Sequence, residues 1–350
     1  MRAKRTIADI LFCFVCALGC ADVAMAQSMR IAGSVCSAPP QLNCPDGNCS
    51  KESLAQPGEA VEPKSGRRFY LDFPCDLAPG EKVNLILSIH GATSNGAWMR
   101  HYFPAKDYKE KYRLVIATPT SATANHIWNG EVDDSTLHNI VDLVVEKLGK
   151  ANIASFWLAG HSQGGMTSNR LVCTEFFRNK VDGWLSLSGG RIGRVEIAPD
   201  FFGPRPPGVT TEWPPTVPGG DPGAKPGAAS VPNCDFSYIF ATGDKEMTGL
   251  PDTSPWAQKY ACGARVRKAD IVDSQPGHIT VGNQPQRASQ GRVARPGKAE
   301  VFVYPGCQGQ RLVADVVRVD KGHSEGLEPK VTEGLIQMML AAPGGKLQAK

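Results

Sequence analysis

The 350-residue sequence predicts an α/β protein with a mostly parallel sheet covered by helices, and three observations carry that prediction. Short apolar runs of strand length alternate with helical stretches from Arg67 onward, and such alternation builds a parallel sheet with helices packed on its faces. The apolar run Phe156-Trp157-Leu158-Ala159 leads directly into Gly160-His161-Ser162-Gln163-Gly164-Gly165, a strand entering a tight turn of the form Gly-x-Ser-x-Gly. Beyond the turn, residues 163–178 contain no proline and space Met166, Leu171, Phe176 and Phe177 among polar residues, so a helix follows.

The chain opens with Arg2, Lys4 and Arg5, continues through an apolar stretch at residues 10–18, and reaches Ala24-Met25-Ala26 before Gln27. This is the layout of a secretory signal peptide over residues 1–26, cleaved after Ala26. Its apolar part is shorter than the ~20 residues a membrane helix requires, and no later segment approaches that length, so no transmembrane segment is expected. Lipidation of Cys20 is the lesser alternative, because Ala17-Leu18-Gly19 is a poor version of the signal it requires. The mature chain is expected to be secreted or periplasmic.

Residues 27–65 are rich in Pro, Gly, Ser and Cys and show no periodicity, which reads as an irregular, disulfide-tied lead-in. Residues 66–350 then form one domain large enough to bury a substantial core. Strands are expected at 68–73, 83–89, 114–118, in the run before Ser162, and at 183–188, 236–242, 299–304 and 312–319. Helices are expected from about 134 to 148 and over 331–340. Residues 199–232 are dense in Pro and Gly and cannot form a regular element; they read either as a lid over the serine or as a disordered insertion. Residues 275–297 read as an exposed loop.

Three of the eleven cysteines fall in the leader, leaving Cys36, Cys44, Cys49, Cys75, Cys173, Cys234, Cys262 and Cys307. An even number in an exported chain indicates disulfides, whose connectivity spacing alone does not choose. Cys44 and Cys49 lack the second pair or nearby histidines of a zinc site, so no metal is expected. The formal net charge of +4 gives no reason to expect nucleic acid, and the cluster Arg265, Arg267, Lys268, Arg287, Arg292 and Arg295 lacks interleaved aromatics.

A serine on such a turn is a nucleophile only if a histidine takes its proton and a carboxylate orients that histidine. In the α/β-hydrolase order the acid and then the histidine follow the serine, each at the carboxyl end of a strand. Asp244 ends the strand at 236–242 and is the expected acid, with Asp252 as fallback. His323, in Asp320-Lys321-Gly322-His323 after the strand at 312–319, is preferred over His278 as the base. The oxyanion donors are expected at the N–H of Gln163, and at that of Ala92 or Thr93 in the loop His90-Gly91-Ala92-Thr93. His90 is expected to hold this loop rather than to act as a base. Asp133 and Asp134 read as helix-capping residues. Trp128, an aromatic wall or a core residue, and Trp213, in the insertion, are the candidate substrate contacts.

These motifs together resemble the secreted feruloyl esterases and polyhydroxyalkanoate depolymerases of the α/β-hydrolase fold. The likeness rests on His90-Gly91 after an apolar strand, Trp128 before Val132-Asp133-Asp134, the serine turn with Gly165, Trp256 ahead of Cys262, Tyr304-Pro305-Gly306-Cys307, and Gly322-His323. The resemblance implies a triad of Ser162, Asp244 and His323, ester hydrolysis with no cofactor, and a Cys262–Cys307 disulfide beneath the histidine loop. Ser324-Glu325-Gly326 departs from the Thr-Trp-Pro type sequence frequent after that histidine, which leaves the ester open. The expectation is therefore a secreted serine esterase acting on feruloyl, aryl or hydroxyalkanoate esters, with a small or oligomeric ester as its partner. Polyester depolymerisation is the alternative activity, and a non-catalytic binding protein on the same scaffold is the alternative class. The oligomeric state is left open.

Overall fold

The apolar runs of the sequence become strands whose carboxyl ends meet along one edge of a single sheet. A computed structural model describes residues 30–37, 57–191, 231–279 and 288–349. The expected signal peptide, Cys44, Cys49, Arg287, Trp213 and residues 199–230 of the insertion lie outside the described residues.

In chain order, the lead-in supplies a two-stranded ribbon, β1 (Arg30–Ile31) and β2 (Ser34–Val35), and an edge strand, β3 (Glu59–Val61). Next come β4 (Arg68–Asp72), β5 (Val83–Ile89), α1 (Gly96–Tyr102), α2 (Lys109–Tyr112), β6 (Leu114–Pro119) and α3 (Gly130–Leu148). The segment carrying Ser162 is β7 (Ile153–His161) followed by α4 (Gln163–Val172). Then come β8 (Gly183–Leu187), β9 (Ser237–Gly243), α5 (Pro255–Lys259), β10 (Val266–Arg267), β11 (Ile271–Asp273), β12 (Gly297–Val303), β13 (Val313–Arg318) and α6 (Pro329–Ala341).

The main sheet runs β10-β12-β13-β9-β8-β7-β5-β6-β4-β3, with β11 beside β12. From β6 across to β13 every pairing is parallel, and antiparallel strands flank the block on both sides. This is the α/β-hydrolase arrangement. Ile89 lies opposite Gly160, His161 opposite Leu187, Leu187 opposite Ala241, and Gly243 opposite Arg318. The loops that follow β5, β7, β8, β9 and β13 therefore emerge side by side, where open α/β sheets place their ligand sites.

The parallel strands are buried on both faces, which is why they read as continuous apolar runs rather than alternating ones. Alternation still sorts their side chains: Phe156 and Leu158 of β7 enter one core layer, Trp157 and Ala159 the other. The first layer is closed by α3 through Leu137, Ile140, Val141 and Val144, an i, i+3, i+4, i+7 stripe. Each of these fully buried aliphatic side chains contributes roughly 1.5–3 kcal/mol. The second is closed by Val331, Leu335, Ile336 and Met339 of α6 and by Met99 and Tyr102 of α1.

Two helix boundaries differ from expectation. Asn129 caps α3 by accepting from the Glu131 N–H, so that helix starts at Gly130. Asp133 reinforces the cap by accepting from the Asn129 N–H at 2.9 Å and pairs with Arg67, whereas Asp134 pairs with Arg170. α4 stops at Val172, where the Cys173–Cys234 disulfide ties its end to the segment entering β9.

Cys36 pairs with Cys75, joining the lead-in to the main domain, and Cys262 pairs with Cys307. The last bond lies at the amino end of β13, before Val313, opposite the end that leads to His323. It fastens the β12–β13 turn to the end of α5 and does not lie beneath the histidine loop. Among the described residues, no helix is long and apolar enough to cross a membrane.

Candidate active site

Ser162 sits between β7 and α4 with φ 50° and ψ −120°, a conformation costly for a side-chain-bearing residue and characteristic of functional turns. Packing explains the flanking glycines. A Cβ at Gly160 would lie 2.2 Å from the Gly164 carbonyl oxygen, and one at Gly164 would lie 2.2 Å from that of Ile89. The turn is also tied to the neighbouring strand, since the Ser162 N–H donates to the Leu187 carbonyl at 2.9 Å.

His323 lies on the loop after β13 and is buried. Its Nδ1 is 2.7 Å from Oε2 of Glu246. Glu246 is likewise buried, and its Oε1 accepts from the Ser188 hydroxyl and from the Gly243 N–H, both at 2.7 Å. Burial pushes the Glu246 carboxyl up, but the adjacent His323 and the hydrogen bonds from His323, Gly243 and Ser188 outweigh it and hold the group below its ordinary range. An ionised carboxylate only accepts, so Glu246 holds a proton on His323 Nδ1, and in the neutral ring Nε2 is then the acceptor. That is the state a general base requires.

The acid expected at Asp244 is corrected by this geometry. Asp244 and Glu246 share one short 3-10 turn, Asp244–Glu246, in which residues two apart point in directions about 120° apart. Glu246 is turned toward His323. Asp244 instead lines a cavity of ≈ 270 Å³ with Met247, Leu250, Arg265, Phe302 and Val317, and its Oδ1 has no hydrogen-bond partner among the described residues. The fallback, Asp252, pairs with Arg265. His278 Nε2 is 3.0 Å from Oδ2 of Asp107.

A second glycine constraint brings the loop after β5 against the serine, because a Cβ at Gly91 would stand 3.2 Å from the Ser162 Cβ. Of the two residues expected to offer an N–H here, Thr93 is excluded: its N–H donates to the His126 carbonyl at 3.1 Å. The Ala92 N–H makes no hydrogen bond among the described residues. Gln163 is the first residue of α4, so its N–H has no acceptor within the helix, and the helix N-terminus favours negative charge.

His90 holds this loop. Its Nε2 accepts from the Ser121 N–H at 3.0 Å, and its Nδ1 meets the Gly91 carbonyl at 2.6 Å. Burial pushes its pKa down to about 4, so the ring is neutral. Trp128 lies behind His90, with its indole N–H donating to the His90 carbonyl at 2.8 Å. Its main chain is clasped by the Gln163 side chain, which accepts from the Trp128 N–H at 3.0 Å. It is a core residue, 6% exposed, rather than a wall open to substrate.

Sequence reasoning missed Glu246 and Ser188. Glu246 did carry a signal: a glutamate three residues after Gly243 is the spacing by which a side chain reaches back to cap a turn. Ser188 carried none, because its contact with Glu246 depends on strand order.

No family model matches the sequence. The chain is similar to the probable acetylxylan esterase A of Aspergillus fumigatus, with 24% identity over 181 residues covering 41% of this chain and 48% of the relative. It thus spans about half the length of that curated relative. Among solved structures it is similar to the acetyl xylan esterase from Aspergillus awamori, at a TM-score of 0.44 and 15% identity over 79% of this chain and 94% of that one. It is also similar to Est1E from Butyrivibrio proteoclasticus with ferulic acid bound, at a TM-score of 0.40 and 14% identity over 79% and 96% of the two chains.

Proposed function

We propose that the protein is a serine carboxylic-ester hydrolase working through an acyl-enzyme, with Ser162 as nucleophile, His323 as general base and Glu246 as the acid that orients it. The observation that carries this reading is the His323–Glu246 pair at 2.7 Å on the same sheet edge as a serine in a strained turn at a helix N-terminus. His323 Nε2 takes the Ser162 hydroxyl proton as Oγ attacks the ester carbonyl. The N–H groups of Gln163 and Ala92 receive the charge that develops on the carbonyl oxygen, a contribution of roughly 10²–10³ in rate per donor. His323 then passes its proton to the leaving alcohol, and water repeats the sequence to free the acid and the serine.

The ester proposed is one in which a short or aromatic acyl group is carried by a carbohydrate alcohol, which the likeness to an acetylxylan esterase supports. The leader-like N-terminus and the three disulfides Cys36–Cys75, Cys173–Cys234 and Cys262–Cys307 support export.

The test is hydrolysis of p-nitrophenyl acetate, acetylated xylo-oligosaccharides and methyl ferulate, with fluorophosphonate labelling in parallel. Wild type is expected to turn over at least one and to be labelled at Ser162. Ser162→Ala is expected to lose both signals while keeping its circular dichroism. A labelled or active Ser162→Ala protein overturns the assignment.

A further inference from the structure

We infer that His161, the residue before the nucleophile, is a positioning residue that holds the triad histidine to the strand carrying Ser162. This rests on the proposed hydrolase reading and adds a residue to it.

His161 is buried, and its Nε2 lies 2.9 Å from the main-chain carbonyl oxygen of His323. A carbonyl only accepts, so the His161 proton resides on Nε2, and Nδ1 is a bare lone pair. That nitrogen has no hydrogen-bond partner among the described residues. It faces the α-carbon of Gly91, where a Cβ would lie 2.7 Å away. One residue therefore links all three working parts of the site: it precedes Ser162 in the chain, and its imidazole bonds the backbone of the base and packs on the glycine preceding Ala92.

The contact is reinforced from α1. The Tyr102 hydroxyl donates to the same His323 carbonyl at 3.2 Å, and the Tyr102 ring lies 4.1 Å from that of His161 by centroids. Trp98 stacks on Tyr102 at 4.8 Å. The His161 and His323 rings are 4.7 Å apart, so a charged His161 would oppose the imidazolium that forms on His323 during turnover. Burial first, and the neighbouring His323 second, keep His161 well below its ordinary pKa.

A satisfied core histidine would contribute to stability alone; a positioning one also sets where His323 Nε2 lies relative to Ser162 Oγ. A shift of about 1 Å at a reacting pair costs on the order of 100-fold in rate. His161→Phe keeps a ring and removes the donor; His161→Gln restores a donor of similar reach. The expected results for His161→Phe on p-nitrophenyl acetate are a kcat about 10- to 100-fold lower, a KM near wild type, and slower fluorophosphonate labelling in the same proportion. His161→Gln is expected to recover part of kcat. Tyr102→Phe, which leaves the ring stack in place, serves if His161→Phe does not fold, and is expected to lower kcat about two- to tenfold with KM unchanged.

If a folded His161→Phe keeps wild-type kcat and labelling rate, or His161→Gln folds but recovers nothing, the inference is overturned. If His161→Phe does not fold, an unchanged kcat for Tyr102→Phe overturns it. A wild-type protein with neither turnover nor labelling would instead sink the hydrolase reading, so the two failures are distinguishable.

Discussion

The turn that carries Ser162 and the turn that carries Glu246 both follow parallel strands at one sheet edge, yet one is legible in sequence and the other is not. Around Ser162 the constraint is steric and falls on single positions. Gly160, Gly164 and Gly165 each stand where a Cβ would meet another backbone within 2.6 Å, so the pattern of residues is the pattern of clashes avoided. After β9 the constraint is directional. Asp244 and Glu246 are both carboxylates on one short turn, and which of them reaches His323 depends on the rotation of that turn and on Ser188, a residue of another loop.

The largest effect that would break this contrast is expected at the serine turn. Gly160→Ala forces a methyl group to 2.2 Å from a carbonyl oxygen, and is expected to abolish the proposed ester hydrolysis and to lower unfolding free energy by about 3 kcal/mol or more, measured by denaturant titration. A Gly160→Ala protein with normal stability and turnover would remove the steric explanation. At the acid turn, Ser188→Ala deletes one of two hydrogen bonds to Glu246 Oε1, and is expected to lower kcat about three- to tenfold; steady-state kinetics that show no change would mean Gly243 alone suffices.

A smaller effect concerns the loop after β5, which flanks the serine turn on the side away from β9, and appears as pH dependence. His90 has an ordinary value of 6.5 and is held at about 4 in the fold. Below 6.5 the unfolded chain binds a proton that the folded chain refuses until about pH 4, so stability falls as pH drops through that window. Unfolding midpoints measured between pH 7 and pH 4 are expected to fall less steeply for His90→Gln than for wild type. Equal slopes would indicate that His90 is not buried as a neutral ring.

The same contrast accounts for what could be read from residues alone. The strands were legible because a two-sided parallel sheet demands unbroken apolar runs, and the first strands of that block, β5 and β6, fall close to the runs that predicted them. His323 was preferred because only two histidines follow β9 in the sequence and the run at 312–319 before it read as a strand, whereas the short strand β11 before His278 carried no such signal. Thr93 could not be separated from Ala92 because the bond that occupies its N–H comes from His126, more than thirty residues away. Trp128 could not be assigned to core or wall because its partner, the His90 carbonyl, lies on another strand's loop. Thr93, Trp128 and Ser188 depended on contacts between segments distant in sequence, whereas the strands and the serine turn depended on local runs and clashes.

The central claim is that Glu246, not Asp244, orients His323, and the most direct measurement is kcat for Glu246→Gln beside Asp244→Asn on one ester substrate. Replacing the carboxylate that fixes a triad histidine by its amide lowers turnover by about 10³- to 10⁴-fold. Glu246→Gln is expected to show that loss, with Asp244→Asn within about threefold of wild type. The reverse order, a near-normal Glu246→Gln and a crippled Asp244→Asn, would contradict the account.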